Sequence, residues 1–533
     1  MRHHHPDAGA PGTTDTPARP AGPSLSRRGL LLLGGAGLAS PLLAGLTSSG
    51  SAPAGAPALV PRGHDDDVLD ARDYGAEGDG REDDTRALQR LLDASARRGR
   101  VAYVPAGTYR CSAGLLLRSG VDLHLARRAR LVKDWAAPPG MTDAFLRNAD
   151  FAVKSNEVRI TGPGTIGARD HGMTGVVLAL YGDDVTIADI TIDTYAGGQA
   201  VMFAGDRGRI DGITVRGSAP EFGTGGIRVI GGADFLGTGC HVESGDDCLQ
   251  FVPIGNPEAE PTLYNQSITG GRFVECTGAS SASRFMVALL EFTGGEPGTT
   301  DMDASVVDCS FQDCHGSAVN RGIVVKNTHS RGAIERLAFT DCTIDMSRAA
   351  DASTQEIRVQ TDPASRGAIR DVTFTRTDVI DAVNSPVRVG GPNISRLTFD
   401  GCTFTAPSGA APTSVVVDGT DQPRFHDCTF VGAPGKRLLV VGPANPVTAL
   451  SVEDCRFTDL ESLWALDLLG VAGARVTGSV FEDTGAASTA RAIRVSPTAT
   501  DVVIEGNDFT GISHPEPVTD RASGAALEGN TGA

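Results

Sequence analysis

From about residue 158 the chain repeats one short pattern of apolar and polar positions: apolar, any, apolar, any, turn-like, small, any, apolar. Clear copies lie at 185–192, 337–344, 372–379, 397–404, 450–457 and 502–509. The small position falls on Ile190, Ile213, Cys240, Gly271, Cys309, Cys342, Thr377, Cys402, Cys428, Cys455, Ser479 and Asn507, spaced 23 to 38 residues apart. A fixed unit with variable insertions is the mark of a solenoid. Between these units runs a second short strand, as in Gly226-Ile227-Arg228-Val229, Cys248-Leu249-Gln250-Phe251, Gly322-Ile323-Val324-Val325, Glu356-Ile357-Arg358-Val359 and Ala492-Ile493-Arg494-Val495. Apolar residues alternate there with Arg or Gln, so one face is buried and one meets solvent. The pattern predicts an all-β fold, a single-stranded right-handed parallel β-helix with two or three strands per turn. About a dozen coils stacked at ~4.8 Å would make a rod ~60 Å long. A β-propeller needs blades of about 40 residues with four strands each, longer than this spacing.

Ahead of the array, Asp83 or Asp84 is placed to cap a helix near 84–97 that buries Ala87, Leu88, Leu91 and Leu92. This helix caps the first coil. A strand, Val101-Ala102-Tyr103-Val104, follows. The ordered set Asp73-Tyr74-Gly75-Ala76, Gly78-Asp79-Gly80, Asp83-Asp84-Thr85 and Val104-Pro105-Ala106-Gly107-Thr108-Tyr109 resembles the opening of pectate-lyase-superfamily β-helix proteins. The boundaries read as a leader over 1–58 and a β-helix catalytic domain over 59–533.

Residues 1–23 are rich in Pro, Gly, Ala and Thr, the composition of a disordered segment. Ser26-Arg27-Arg28-Gly29-Leu30, continuing as a Gly/Ala/Leu run to Leu46, resembles a twin-arginine export signal. Gly34, Gly35, Gly37 and Pro41 interrupt that run, which reads as a cleaved signal and leaves no stable membrane span after its removal. The expected location is extracellular. A formal charge of −18 argues against a nucleic-acid partner, because it repels phosphate. Gly is abundant at 67 residues and aromatics are scarce at 5%, which suits tight turns and a thin core. Ten cysteines in an exported chain would suggest disulfides, but Cys309, Cys342, Cys402, Cys428 and Cys455 each fall at the same repeat position, which reads as a stacked column of small buried residues and leaves room for a few bridges at most. None has metal-site spacing, and neither a metal nor any other cofactor is expected.

Chemistry concentrates in Glu243-Ser244-Gly245-Asp246-Asp247-Cys248, where two carboxylates precede an apolar strand. Aligning the second strands places Asp246-Asp247 above Thr224-Gly225 and below Ser283-Arg284, with Asn320-Arg321 one coil further. Gly245-Asp246-Asp247-Cys248 is similar to a motif of glycoside hydrolase family 28, the polygalacturonase-type β-helix enzymes. That resemblance implies Asp246 as general acid and Asp247 as a base or water-positioning group. Three further family motifs depart. Gly223-Thr224-Gly225 lacks the expected Asp, Ser283-Arg284-Phe285 stands where a histidine motif belongs, and only Lys326, with Arg321, stands for the basic one. Glu291, one coil above the pair, is the candidate second carboxylate, and a carboxylate one coil away from Asp246 would sit roughly 5 Å from it. Arg228, Arg284, Arg321, Lys326 and His315 are candidate substrate-binding residues. An ion pair with Arg284 and Arg321 would lower the Asp247 pKa. Arg358, Arg388 and Arg494 recur on one strand face as a surface ladder.

Three functions follow. The first is an exported glycoside hydrolase, or related glycosyl-transferring enzyme, acting on a carbohydrate in a groove along the helix. The second is a polysaccharide lyase in which Lys326 or Arg284 removes a proton next to a uronate carboxylate and the Asp pair holds Ca²⁺. The third is a non-catalytic glycan-binding rod. An Asp-Asp pair at a β-helix turn also simply satisfies backbone N–H groups. The family resemblance favours the hydrolase. Glycan identity, stereochemistry and oligomeric state are not encoded in these patterns.

Overall fold

The computed structural model describes residues 68–532 apart from 137–142, 170–174, 194–196, 218–223, 254–262, 264, 292–301, 350–355, 462–463, 486–487 and 521–524. The twin-arginine stretch and the rest of the 1–58 leader lie outside the described residues.

Every coil sends the chain through three faces in turn, called here sheets A, B and C, and all the strand pairs between coils are parallel. The coil around the acidic pair runs Leu236–Thr238 in sheet A, His241–Ser244 in sheet B and Leu249–Phe251 in sheet C. The next coil repeats the order with Arg272–Val274, Thr277–Ser280 and Arg284–Leu290. This is the parallel β-helix that the alternation predicts. It has three strands per coil, and sheet B alone stacks 16 strands, a length of ~72 Å at 4.8 Å per step. The expected dozen coils fell short because the first strands of sheet B, such as Gly107–Cys111 and Ala129–Lys133, do not carry the small-residue repeat.

The turn-like position of the repeat owes its identity to a left-handed bend between sheets A and B. Asp341, Asp427 and Asp454 hold φ of 54°, 50° and 54° there, and Gly401 and Gly478 take the same place at 63° and 62°. Asp and Gly tolerate that region best. The residue after the bend points inward. Cys240, Cys276, Cys314, Cys342, Cys402, Cys428 and Cys455 stack there, with Thr377 between the two runs of thiols. Cys342 donates to Phe311 O at 3.5 Å and Cys402 to Phe374 O at 3.3 Å. The column therefore runs through Cys276 and Cys314. Gly271 and Cys309, read from the sequence as its members, sit just before the strands Arg272–Val274 and Ser310–Gln312, one corner earlier. Each corner comes three positions after a buried apolar residue, Ile268 and Val306 for the first and Phe273 and Phe311 for the second, which is why the two registers look alike in the sequence. All ten cysteines are free and buried.

Few as the aromatics are, most of the described phenylalanines are spent on the interior. Phe311, Phe339, Phe374, Phe399 and Phe425 stack face to face with centroids 4.8 to 5.1 Å apart. Phe430, Phe457 and Phe481 form a second stack at 4.6 Å. Offset aromatic pairs add to the area they bury, so these columns fix the coil register from inside.

The helix spans Thr85–Arg98 and buries Ala87, Leu88, Leu91 and Leu92 over the first coil, as expected. Asp84 occupies the cap position, but its carboxylate turns back to accept from the N–H groups of Glu77 and Gly78 at 2.7 and 3.2 Å. It closes the preceding loop and makes no side-chain bond to the helix. Among the described residues no helix is long and apolar enough to cross a membrane.

Candidate active site

The acidic pair sits on the turn from sheet B into sheet C. Thr224 O, one coil before, accepts the N–H groups of both Gly245 and Asp246 at 2.9 Å. Ser244 Oγ and Ser280 Oγ both donate to Asp246 O, at 2.7 and 2.8 Å. Three bonds from three coils therefore hold the Asp246 backbone, and a fourth holds Gly245 beside it. Gly226 lies beneath, and a Cβ there would stand 2.4 Å from Cys248 O, so the turn closes only over glycine. The turn differs from an ordinary strand start in sending both Cys248 and Leu249 into the core. That leaves Asp247 to point outward.

Asp247 is nevertheless covered. Arg284 grips both its oxygens, Nε to Oδ1 at 2.6 Å and Nη2 to Oδ2 at 2.7 Å, and Ser283 Oγ donates to Oδ1 at 3.0 Å. Its backbone carbonyl accepts from Gly226 N–H at 2.9 Å and from Gln250 Nε2 at 2.6 Å. Burial pushes the Asp247 carboxyl above its ordinary range; Arg284 pulls against that, and the charge on Asp246 adds to the rise. The sequence-based expectation of a lowered pKa is corrected here, because desolvation outweighs the ion pair. Burial also opposes the Arg284 charge, but the contact with Asp247 and the nearby charges of Asp246 and Glu291 outweigh it and hold the guanidinium protonated. Asp246 is half-buried and remains the more accessible carboxylate.

The predicted register is the observed one: Cys248 N–H bonds to Arg284 O, and Arg284 stands opposite Arg321 in the next coil. Arg284, Arg321, Val324, Lys326, Arg358 and Gln360 line a concavity of about 280 Å³ on the outer face of sheet C. This is a cationic groove on a chain of net charge −18. Burial lowers the Arg358 pKa, and the adjacent Arg321 and Arg388 lower it further. Arg358, read from the sequence as a surface-ladder residue, thus belongs to the groove. Its signal was its position two coils beyond Val287 and three beyond Gln250, in the same outward row. Ser283 and Gln250 were also missed as partners of Asp247, because their roles depend on contacts between coils.

The remaining candidates divide. Arg228 lies in that outward row, opposite Gln250, and donates to Val252 O at 3.2 Å. Lys326 pairs with Glu291 at 2.6 Å. Glu291 follows the strand Arg284–Leu290, seven positions along from the residue that faces Asp247, so the spacing of roughly 5 Å expected between coil neighbours does not describe it. Its charge still reaches Arg284. His315 stands apart on the exposed face of sheet B, opposite Thr277, and pairs with Asp313 at 2.7 Å. Its place two coils along was right, but its strand belongs to the sheet before the turn. Among the described residues no group of three or more His, Cys, Asp or Glu is arranged to hold a metal ion.

Residues 68–250 match the family described as "Rhamnogalacturonase A/epimerase, pectate lyase-like". That stretch is pectate-lyase-like, and the described residues share one parallel β-helix throughout. Its curated relatives include the plasmin and fibronectin-binding protein A of Streptococcus pneumoniae, 36% identical over 76 residues, which are 14% of this chain and 11% of that protein. A mannuronan C5-epimerase of Azotobacter vinelandii, AlgE3, is 30% identical over 137 residues, 24% of this chain and 6% of the epimerase. The matches thus span about a tenth or less of these relatives. Among solved structures the chain is similar to a family 28 exopolygalacturonase of Yersinia enterocolitica, with 15% identity, a TM-score of 0.43 and coverage of 80% of this chain and 78% of that one. The pectate-lyase-like β-helix occurs among relatives of differing activity, so the reaction has to be argued from the site.

Proposed function

We propose that this pectate-lyase-like β-helix is an exported carbohydrate-active enzyme that cleaves an acidic polysaccharide in the groove on sheet C, with Asp246 as proton donor. The observation that carries the reading is the asymmetry of the acidic pair: Asp247 is locked between Arg284 and Ser283, while Asp246 stands half-buried beside it, and the same Arg284 lines the cationic groove. Asp246 protonates the leaving glycosidic oxygen as water attacks the anomeric carbon. Arg321, Lys326 and Arg358 bind acidic groups of the substrate, the arginines through guanidinium forks and the lysine as a point charge. The twin-arginine leader carries the folded chain out of the cell, a route compatible with ten buried thiols that need no oxidation.

One observation favours a second reading, β-elimination or C5 epimerisation of a uronate. Lys326 lines the groove and lies 2.6 Å from the Glu291 carboxylate, which makes it the candidate base. Arg284 does not suit that role, because its partners hold its proton in place. Digests of polygalacturonate, alginate and a neutral glucan separate the two readings. Hydrolysis releases reducing ends with no ultraviolet absorbance, elimination produces an absorbing unsaturated end, and epimerisation changes the uronate composition without shortening the chain. Release of reducing ends from the neutral glucan alone would contradict the acidic-substrate reading.

A further inference from the structure

The strand-entry position of sheet C that holds Asp247, Arg284 and Arg321 continues up the helix. Pairing carries it through Ser385 and Thr413 to Arg437, Trp464 and Arg491. Trp464 stands seven coils above Asp247, ~34 Å along the axis. It is one of two tryptophans in the chain, and the other, Trp135, packs edge-on against core Phe145. Trp464 instead lies half-buried on the outer face with an arginine one coil to either side. Arg494 covers its ring with the guanidinium carbon 4.4 Å from the centroid. Fully buried Asp467 fixes that arginine, accepting from its Nε at 2.6 Å and also from its Nη2, and takes a further bond from Arg437 Nη1 at 3.3 Å. Among the described residues Trp464 Nε1 has no hydrogen-bond partner. A buried indole N–H without a partner costs stability, so its retention here calls for a reason.

We propose that Arg437, Trp464 and Arg491 form a second holding site for the same acidic polysaccharide, in line with the groove at Asp246. The indole supplies an apolar surface for the C–H face of a sugar ring, and the flanking guanidiniums supply charge for its carboxylates. The buried Asp467–Arg494 pair fixes the indole from behind, so little side-chain entropy is lost on binding. A chain long enough to cover both sites gains from their tethering, whereas a trisaccharide engages one at a time. The occupant rests on the acidic-glycan reading of the groove; the location does not.

The test is affinity electrophoresis of the full chain through gels containing polygalacturonate or alginate, with the trisaccharides titrated separately. Trp464→Ala and Arg491→Gln are expected to weaken polymer binding about tenfold, the size of one stacking or charge-assisted contact, and to leave trisaccharide binding at the groove unchanged. Trp464→Phe keeps an aromatic face and is expected to stay within about twofold of the wild type. If Trp464→Ala melts before it can be assayed, Arg491→Gln decides the matter. Polymer binding unchanged in Arg491→Gln and in any folded Trp464→Ala overturns the proposal, as does a wild type that neither polymer retards. Failure of the catalytic reading looks different: no cleavage by any variant, with polymer retardation still dependent on Trp464.

Discussion

Arg284 and Asp247 meet through two parallel hydrogen bonds, 2.6 and 2.7 Å long, across neighbouring coils of the helix. Neither partner has a comparable replacement if the other is removed. Breaking a buried pair by removing one partner leaves the other uncompensated, which typically costs about 3–5 kcal/mol. Asp247→Asn and Arg284→Ala are each expected to lower stability by that order. Arg284→Lys should rescue little, because an ammonium cannot make the fork. Chemical denaturation measures all three, and a loss below about 1 kcal/mol in both Asp247→Asn and Arg284→Ala would show that the pair does not hold the turn.

Glu356 gives stability a pH dependence with a definite sign. Its side chain is fully buried, Oε1 accepts from the N–H groups of Val383 and Asn384, and Oε2 has no partner among the described residues. Burial raises its pKa from 4.5 to about 7. The folded state therefore keeps the proton longer than the unfolded one. The stabilisation is complete below pH 4.5 and is lost as the pH rises to about 7, amounting to about 3 kcal/mol over the window. Glu356→Gln should flatten this slope while retaining Oε1 as an acceptor. Denaturant midpoints taken at pH 5 and pH 8 check it, and an equal slope in wild type and variant would count against it.

The thiol column makes a prediction about reactivity. With all ten cysteines free and buried, a thiol reagent should label none in the native state and ten after unfolding. Burial pushes the Cys248 thiol up to about 12, so even the cysteine beside the acidic pair should be unreactive. A reducing agent should leave the melting temperature unchanged, and a shift on reduction would reveal a bridge.

Much of this molecule was legible because a β-helix repeats itself. Once the strands beginning at Gly226, Cys248 and Gly322 were recognised as equivalent, Arg284 fell opposite Asp247 with no further information. The errors came where one short sequence fits two places. Gly271 and Cys309 resemble the column residues Cys276 and Cys314 because two successive corners follow similar strands. His315 was placed by coil but not by sheet, since a corner redirects a strand without leaving an apolar signature. Glu291 was counted by coil, although distance along a strand separates residues as effectively as distance along the axis. Arg358 looked like surface because alternation reports which side of a strand a residue faces, and not whether that side is concave.

The groove should discriminate by charge. Arg321→Gln and Arg358→Gln are expected to raise KM for an acidic polysaccharide about tenfold each, the scale of one charge-assisted contact, and rising salt should weaken binding in the wild type. Initial rates across a substrate series measure both. A KM unmoved by either substitution would remove the groove from substrate binding.

The most direct measurement of the account is the rate of polymer cleavage by Asp246→Asn beside the wild type, on polygalacturonate and alginate, with folding verified by thermal melting. Loss of a proton donor should reduce kcat by about 10²–10⁴-fold while leaving polymer binding intact. A folded Asp246→Asn protein that cleaves at the wild-type rate would contradict the account.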